Sequence, residues 1–177
     1  MKSLLLGMSA MMLVAGAAMY ADDAPPAEGA KAPGFTLPRD GGGTVSLKDF
    51  AGRKLVLYFY PRADTPGCTK ESIDFSRLKD AFSRAGADIL GVSADAIPAQ
   101  DAFKAKHKLA IALGSDESRK MLEAYGVWQE KSMYGRKYMG IARATFLIGP
   151  DQRIAQMWPK VSVTGHADEV LAAAKAM

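Results

Sequence analysis

The stretch Leu55-Val56-Leu57-Tyr58-Phe59-Tyr60-Pro61-Arg62-Ala63-Asp64-Thr65-Pro66-Gly67-Cys68-Thr69-Lys70-Glu71 decides the fold. It opens as an unbroken apolar run, rich in β-branched and aromatic residues and too short for a typical helix. Such a run reads as a strand buried on both faces, in the middle of a parallel sheet. Pro61 ends it. Thr65 then suits a helix N-cap and Pro66 the first helical position, and Ile73, Phe75, Leu78, Phe82 and Ala85 fall near helical spacing up to a stop at Gly86. Cys68, the only cysteine of the chain, is thereby placed in the first turn of a helix launched from a central strand.

That position has a chemical consequence. Unpaired N–H groups and the positive end of the helix dipole favour an anion, so the thiolate should be populated there. In a capping box the residue three after a Ser or Thr cap is usually Glu or Gln; here it is Cys68, so a sulfur anion takes the carboxylate's place. Glu71, a like charge one turn on, pulls the other way. A compensating cation is needed, and the local sequence offers Arg62 and Lys70 without choosing between them. The bland reading is a small buried apolar cysteine. The reactive one requires a sulfur open to solvent with a guanidinium beside it.

Pro61-x-x-x-Thr65-x-x-Cys68, following Tyr58-Phe59-Tyr60, resembles the active-site loop of the peroxiredoxins. Thr65-Pro66-Gly67-Cys68-Thr69-Lys70-Glu71 resembles in particular the subfamily called bacterioferritin comigratory protein, or peroxiredoxin Q. The likeness runs on through Gly91-Val92-Ser93, Leu113 to Asp116, Tyr125-Gly126-Val127-Trp128, Glu130-Lys131, Tyr134-Gly135 and Gly140-Ile141-Ala142-Arg143-Ala144-Thr145-Phe146-Leu147-Ile148, and ends near Gly165-His166-Ala167. It spans about residues 31 to 175, with the motifs in order.

Upstream, Met1 to Ala21 carries one charge, Lys2, then an apolar stretch closing in small residues before Asp22-Asp23. This reads as a secretory signal peptide cut after Ala21, giving an exported, periplasmic protein with no membrane attachment after cleavage. Cleavage removes Lys2 and no acid, taking the net charge from +4 to +3. Residues 22–31, with Pro25-Pro26, read as a flexible lead-in, and residues 32–177 as one domain. No cluster of Lys and Arg with interleaved aromatics appears, so nucleic-acid binding has no support. A lone cysteine cannot close an internal disulfide and is either inert or a free reactive thiol.

Downstream, Val45 and Leu47 mark a short strand and Asp88 to Ser93 a second buried strand. A helix follows around Pro98 and Phe103, then a short strand at Ile111 to Leu113. Ser115 or Asp116 caps a helix carrying Met121, Leu122 and Tyr125. Val127 to Gly140 is polar, aromatic and Gly-containing, and reads as a surface loop. Thr145 to Ile148 and Ile154 to Trp158 form a hairpin, and a last helix runs from about Ala167. The sum is an α/β, thioredoxin-like fold with a central mixed sheet flanked by helices, which the resemblance also implies. His107 and His166 have no partners at metal spacing and read as solvated or capping residues, Met121 and Met157 as core. Neither metal nor cofactor is called for.

The resemblance implies a peroxidase. Cys68 is then the peroxidatic nucleophile, and Arg143 the cation that favours the thiolate and polarises the peroxide. Thr65 hydrogen-bonds the reacting atoms, Pro61 shields the thiol, and the N–H groups of Gly67 and Cys68 donate to the peroxide. The product is Cys68 sulfenic acid, whose next oxidation step is essentially irreversible. Many relatives carry a resolving cysteine five residues after the first, where this chain has Ile73. An external thiol must therefore close the cycle: a thioredoxin-like or glutaredoxin-like protein, or a small thiol. The substrate is hydrogen peroxide or an organic hydroperoxide, and relatives of this type are usually monomers. A disulfide carrier would want Cys-x-x-Cys, but Glu71 stands at the second position. A peroxide sensor or holdase chaperone is the remaining alternative, and turnover separates it from an enzyme.

Overall fold

The apolar run becomes the middle strand of a five-stranded sheet in the computed structural model, which describes residues 25–177. The expected signal segment, residues 1–21, lies outside the described residues. A hairpin of β1 (Thr36–Pro38) and β2 (Thr44–Ser46) leads through a 3-10 turn, Leu47–Phe50, into β3 (Lys54–Phe59). After α1 (Pro66–Arg77) and α2 (Lys79–Arg84) come β4 (Ala87–Ser93), α3 (Ile97–His107), β5 (Ala112–Ser115) and α4 (Lys120–Ala124). The chain ends with β6 (Trp128–Met133), β7 (Arg136–Ile141), β8 (Ala144–Ile148), β9 (Ile154–Trp158) and α5 (His166–Ala176). The large sheet has the order β5-β4-β3-β8-β9. Its centre is mixed, not parallel throughout: β3 runs parallel to β4 but antiparallel to β8. Both faces are covered, so β3 is buried along its length apart from Lys54, as an unbroken apolar run requires.

Alternation along β3 divides the core in two. Leu55, Leu57 and Phe59 point toward Phe35, Leu37, Leu122 and Phe146, whereas Val56, Tyr58 and Tyr60 point toward Cys68, Phe75, Phe103 and Val170. On the second face Tyr58 lies over Gly91, its parallel partner, where a Cβ would come within 2.6 Å of the phenol. The glycine makes room for the ring. The Tyr58 hydroxyl in turn shares a 2.8 Å hydrogen bond with Ser72, which pins α1 to the central strand. Ser72 is one helical turn beyond Cys68, so this buried bond also fixes where the first turn of α1 sits.

Several sequence expectations are corrected. The helix read as continuous from Pro66 to Ala85 breaks at Leu78, where ψ is 2°, so that α1 packs on α5 while α2 turns onto β4. The helix after β5 starts at Lys120 and not behind Ser115 or Asp116. The buried Asp116 carboxylate instead reaches forward to accept from the N–H of Leu122 at 2.9 Å. Ahead of Ala32 the chain makes backbone bonds to β9. Gly29 donates to the Ile154 carbonyl at 2.7 Å and Ile154 to that of Ala30 at 2.9 Å, laying this segment along β9.

The largest correction concerns Val127 to Gly140, which is no loop. β6 and β7 pair in register from Trp128 opposite Ile141 to Met133 opposite Arg136. Tyr134 and Gly135 close the ribbon at φ 50° and 75°, the positive values that a two-residue hairpin turn demands. The ribbon projects from the domain with most of its residues exposed. Among the described residues no helix is long and apolar enough to cross a membrane.

Candidate active site

Three elements meet at the carboxyl end of β3. Beyond Tyr60 the chain turns through Pro61 to Thr65 and enters α1, with Thr65 at the N-cap in extended conformation and Pro66 in the first position. From the opposite direction, the register Phe59 to Ala144 sets Arg143, the residue before β8, beside the end of the central strand. Its carbonyl, accepting from Val161 N–H at 3.1 Å, anchors it there. The turn itself is tied down from both sides. Ala63 N–H donates to the Asp95 carboxylate at 2.8 Å, and Asp64 is bonded at 2.7 Å to both His107 and Lys106 at the end of α3. Hydrogen bonds from His107 and Lys106 hold the Asp64 carboxyl below the usual range. His107, read as solvated or capping, is a clamp on this turn.

Cys68 stands at the third position of α1. Arg143 Nη2 lies 3.4 Å from its sulfur, and Nη1 of the same guanidinium donates to Glu71 Oε2 at 2.5 Å. One planar cation thus bridges a thiol and a carboxylate, which a fork of donors does and a point charge cannot. Neither Gly67 nor Cys68 N–H has a protein hydrogen-bond partner among the described residues, as expected of the first turn of a helix. The cations offered by local sequence are elsewhere: Arg62 is exposed, and Lys70 pairs with Asp74 at 2.7 Å.

Two expectations are modified. The Thr65 hydroxyl donates to the Arg62 carbonyl at 2.8 Å, a local side-chain to backbone bond, and leaves only its oxygen lone pairs for other partners. The sulfur, required to be open, is not: Cys68 is 1% exposed and packs among Val56, Tyr58, Tyr60 and Phe75. A helical Cα–Cβ bond leans toward the helix N-terminus, which tucks the third side chain under the first turn and against the sheet. Pro61, Thr65, Gly67 and Arg143 are each part-exposed, so the way to the sulfur lies on their side.

Glu71, read from sequence only as a like charge near the thiol, also contacts the cation of the site. It is 1% exposed, and its Oε1 has no hydrogen-bond partner among the described residues. Burial pushes its carboxyl up to about 7, the Arg143 charge and hydrogen bond drawing it back only in part. For Arg143, burial works against the charge, but Glu71 and Cys68 outweigh it and the guanidinium is held more firmly cationic. Glu71 therefore orients the cation instead of merely opposing the thiolate. The signal available was its spacing: three residues from Cys68 puts both on one helix face.

A pH prediction follows from the raised Glu71 carboxyl. Between the ordinary value of 4.5 and about 7 the unfolded chain has released this proton while the folded chain keeps it. Folding stability from this group is then undiminished below that window, falls as pH rises through it, and levels off above it. Glu71→Gln removes the titration, so the variant should gain on wild type across the window by about 3 kcal/mol at most, at 1.36 per pH unit. Urea unfolding at several pH values measures the difference; a gap independent of pH would count against it.

His166 is also not where it was expected. It is buried, shares a 2.8 Å hydrogen bond with Thr145 Oγ1, and meets the rings of Phe75 and Trp158 edge-on. Burial lowers its imidazole, favouring the neutral form. Met121 is core as expected, and Met157 packs partly buried against the same cluster. Among the described residues no group of three His, Cys, Asp or Glu could hold a metal ion.

The chain is similar to known proteins of one family. The model of the AhpC/TSA family matches residues 29–157. Peroxiredoxin Bcp of Bacillus subtilis strain 168 is 44% identical over 149 residues, 84% of this chain and 95% of its own. Bacterioferritin Comigratory Protein of Xanthomonas campestris, solved as trapped intermediate and ligand complexes that bear on its alkyl peroxide reduction activity, is 47% identical. It superposes with a TM-score of 0.77 over 80% of this chain and 90% of that one. A cysteine-to-serine mutant of PrxQ from Xylella fastidiosa superposes with a TM-score of 0.82 at 38% identity, over 86% of this chain and 98% of its own.

Proposed function

This chain belongs to the AhpC/TSA family, as a one-cysteine peroxiredoxin of the Bcp and peroxiredoxin Q type, and on that premise we propose that Cys68 and Arg143 carry its peroxidase chemistry. The protein is a thiol-dependent peroxidase, an oxidoreductase acting on peroxide. The observation that supports these residue roles is the 3.4 Å approach of a guanidinium to the sulfur at a helix N-terminus with unpaired amides.

The chemistry divides into two halves. In the first, the Cys68 thiolate attacks the terminal oxygen of hydrogen peroxide or an organic hydroperoxide. A sulfur–oxygen bond forms as the O–O bond breaks, and the electron pair departs on the second oxygen, which takes up a proton and leaves as water or alcohol. Donors fixed in place beforehand stabilise the charge growing on that oxygen, each worth about 3–4 kcal/mol in comparable oxyanion sites. Arg143 and the N–H groups of Gly67 and Cys68 are proposed for this task, with Thr65 accepting from the bound peroxide and Pro61 limiting water. Because the sulfur is covered, attack requires the part-exposed residues on that side to move apart. In the second half an external thiol reduces Cys68 sulfenic acid, since Ile73 and the rest of the chain offer no second cysteine.

Mass analysis of Cys68 after one equivalent of peroxide, with and without thiol, tests the reading. The expected result is one added oxygen that disappears on addition of thiol, with many equivalents of peroxide consumed thereafter. Oxidation that stops after a single event, with no turnover on any thiol, would assign the protein to sensing instead. We further propose export, directed by residues 1–21, and a monomeric state. The apolar run behind Lys2 with its small-residue close motivates the first; a full-length protein that stays in the cytoplasm and still begins at Met1 would refute it.

A further inference from the structure

The cycle just described needs a partner, and the β6–β7 ribbon is built to receive one. Register sorts its side chains onto two faces. One face carries Trp128, Glu130, Ser132, Lys137, Met139 and Ile141. Its base is engaged, with Arg119 over the Trp128 ring at 4.9 Å and Ile141 buried, and its outer part is exposed and of mixed charge, Glu130 pairing with Lys137 at 3.2 Å beside an exposed Met139. Lys131, Met133, Arg136 and Tyr138 share the opposite face, with Gln129 and Gly140 at its base. A Cβ on Gly140 would meet Lys131 at 3.1 Å and Tyr138 at 3.3 Å, so these side chains pack over the glycine.

This second face exposes apolar side chains, and its charges are all cationic. Met133 is 56% exposed, Tyr138 43%, and Tyr134 at the tip 97%. Lys131 and Arg136 supply two positive charges, and no acid stands among them. Exposed apolar side chains gathered on one face are a feature of interaction surfaces. The base of the face leads back along the chain to Arg143. Lys131 donates to the Ile141 carbonyl at 2.7 Å, two residues before Arg143, and both Arg143 and Cys68 act electrostatically on its ammonium.

We propose that the face of Lys131, Met133, Arg136 and Tyr138, with Tyr134 at its tip, docks the dithiol protein that reduces oxidised Cys68, and that this partner surrounds its reactive thiol with an apolar patch and an acidic rim. The inference rests on the peroxidase reading and adds the partner's class and footprint. A small thiol needs no such platform. A protein thiol does, because it must be steered to one sulfur atom, and charge complementarity raises the rate of productive encounter. The partner's first thiolate attacks the Cys68 sulfenic sulfur, forming a mixed disulfide as hydroxide leaves with a proton as water. Its second thiol then attacks its own bridged sulfur, releasing the Cys68 thiolate and leaving the partner's two cysteines as a disulfide. Two electrons pass from the dithiol to Cys68.

The test compares two reductants on Arg136→Glu and Tyr138→Ser, both far out on the ribbon and outside the proposed chemistry. Turnover supported by reduced bacterial thioredoxin, an acidic dithiol protein, should fall about ten-fold in Arg136→Glu and clearly in Tyr138→Ser. Turnover supported by dithiothreitol, and oxidation of Cys68 by peroxide, should match wild type. Thioredoxin-supported turnover unchanged in both variants would overturn the proposal. So would a wild-type protein that dithiothreitol reduces and thioredoxin does not. Binding to phosphatidylglycerol vesicles that the variants lose while keeping thioredoxin turnover would reassign the face to a lipid surface. A wild type that consumes no peroxide with either thiol would instead sink the peroxidase reading itself.

Discussion

Cys68→Ser should consume no measurable peroxide with any reductant, a loss on the order of 10³-fold or more, as when an enzyme is deprived of its nucleophile. The reason is ionisation. A thiol beside a guanidinium at a helix N-terminus can be populated as an anion, whereas an alcohol at the same place stays protonated at neutral pH and attacks oxygen poorly. No second sulfhydryl exists to take over, because the chain has one cysteine. The substitution is also gentle. Serine is close in size, and its oxygen can still accept from Arg143 Nη2, which now lies 3.4 Å from the sulfur. The variant should therefore fold, with a thermal midpoint near wild type, so that lost activity reports chemistry and not collapse. Turnover of more than a few per cent of wild type by the serine protein would show that the peroxide is split elsewhere.

Much of this site could be read from residues close together in the chain. The strand, the turn at Pro61 and the cap at Thr65-Pro66 are set by local apolar runs and backbone preferences, and they put Cys68 in its first helical turn. The partners of Cys68 could not be read in that way. Arg143 reaches the sulfur only because β8 pairs with β3 in the register that aligns Ala144 with Phe59, a pairing between distant segments. Sequence offered Arg62 and Lys70 on equal local grounds, and only family resemblance pointed past them. Glu71 was seen as a like charge beside the thiol, but its bond to Arg143 was not, for the same cause: which cation meets a buried carboxylate depends on distant segments. The β6–β7 ribbon escaped notice because its two faces are solvated. Gln129, Glu130, Lys131 and Ser132 give none of the in-and-out alternation that marks a half-buried strand, and its turn places a tyrosine at positive φ, which sequence preference disfavours.

Arg143→Ala should slow oxidation of Cys68 by peroxide by about 10²–10³-fold, the range seen when one preorganised donor is removed from an oxyanion site. Two things are lost together, and they can be separated. The first is the guanidinium's contact with the sulfur and with the charge growing on the departing oxygen. The second is the partner of Glu71, whose buried carboxylate is then left alone at a stability cost of about 3–5 kcal/mol unless it takes up a proton. Burial already holds that carboxyl near 7 with the arginine in place, so in the variant it should rise further and be neutral at physiological pH. Arg143→Ala with Glu71→Gln discriminates between the two losses. If the guanidinium acts directly, the double variant regains stability yet oxidises as slowly as Arg143→Ala alone. If the rate defect came from a stranded carboxylate distorting the first turn of α1, the double variant would recover rate as well as stability. Arg143→Lys should land between wild type and alanine, because one ammonium cannot grip Glu71 and reach Cys68 at once, as the two ends of the fork do. Stopped-flow oxidation of the reduced protein measures all four, and an alanine variant that reacts as fast as wild type would remove Arg143 from the mechanism.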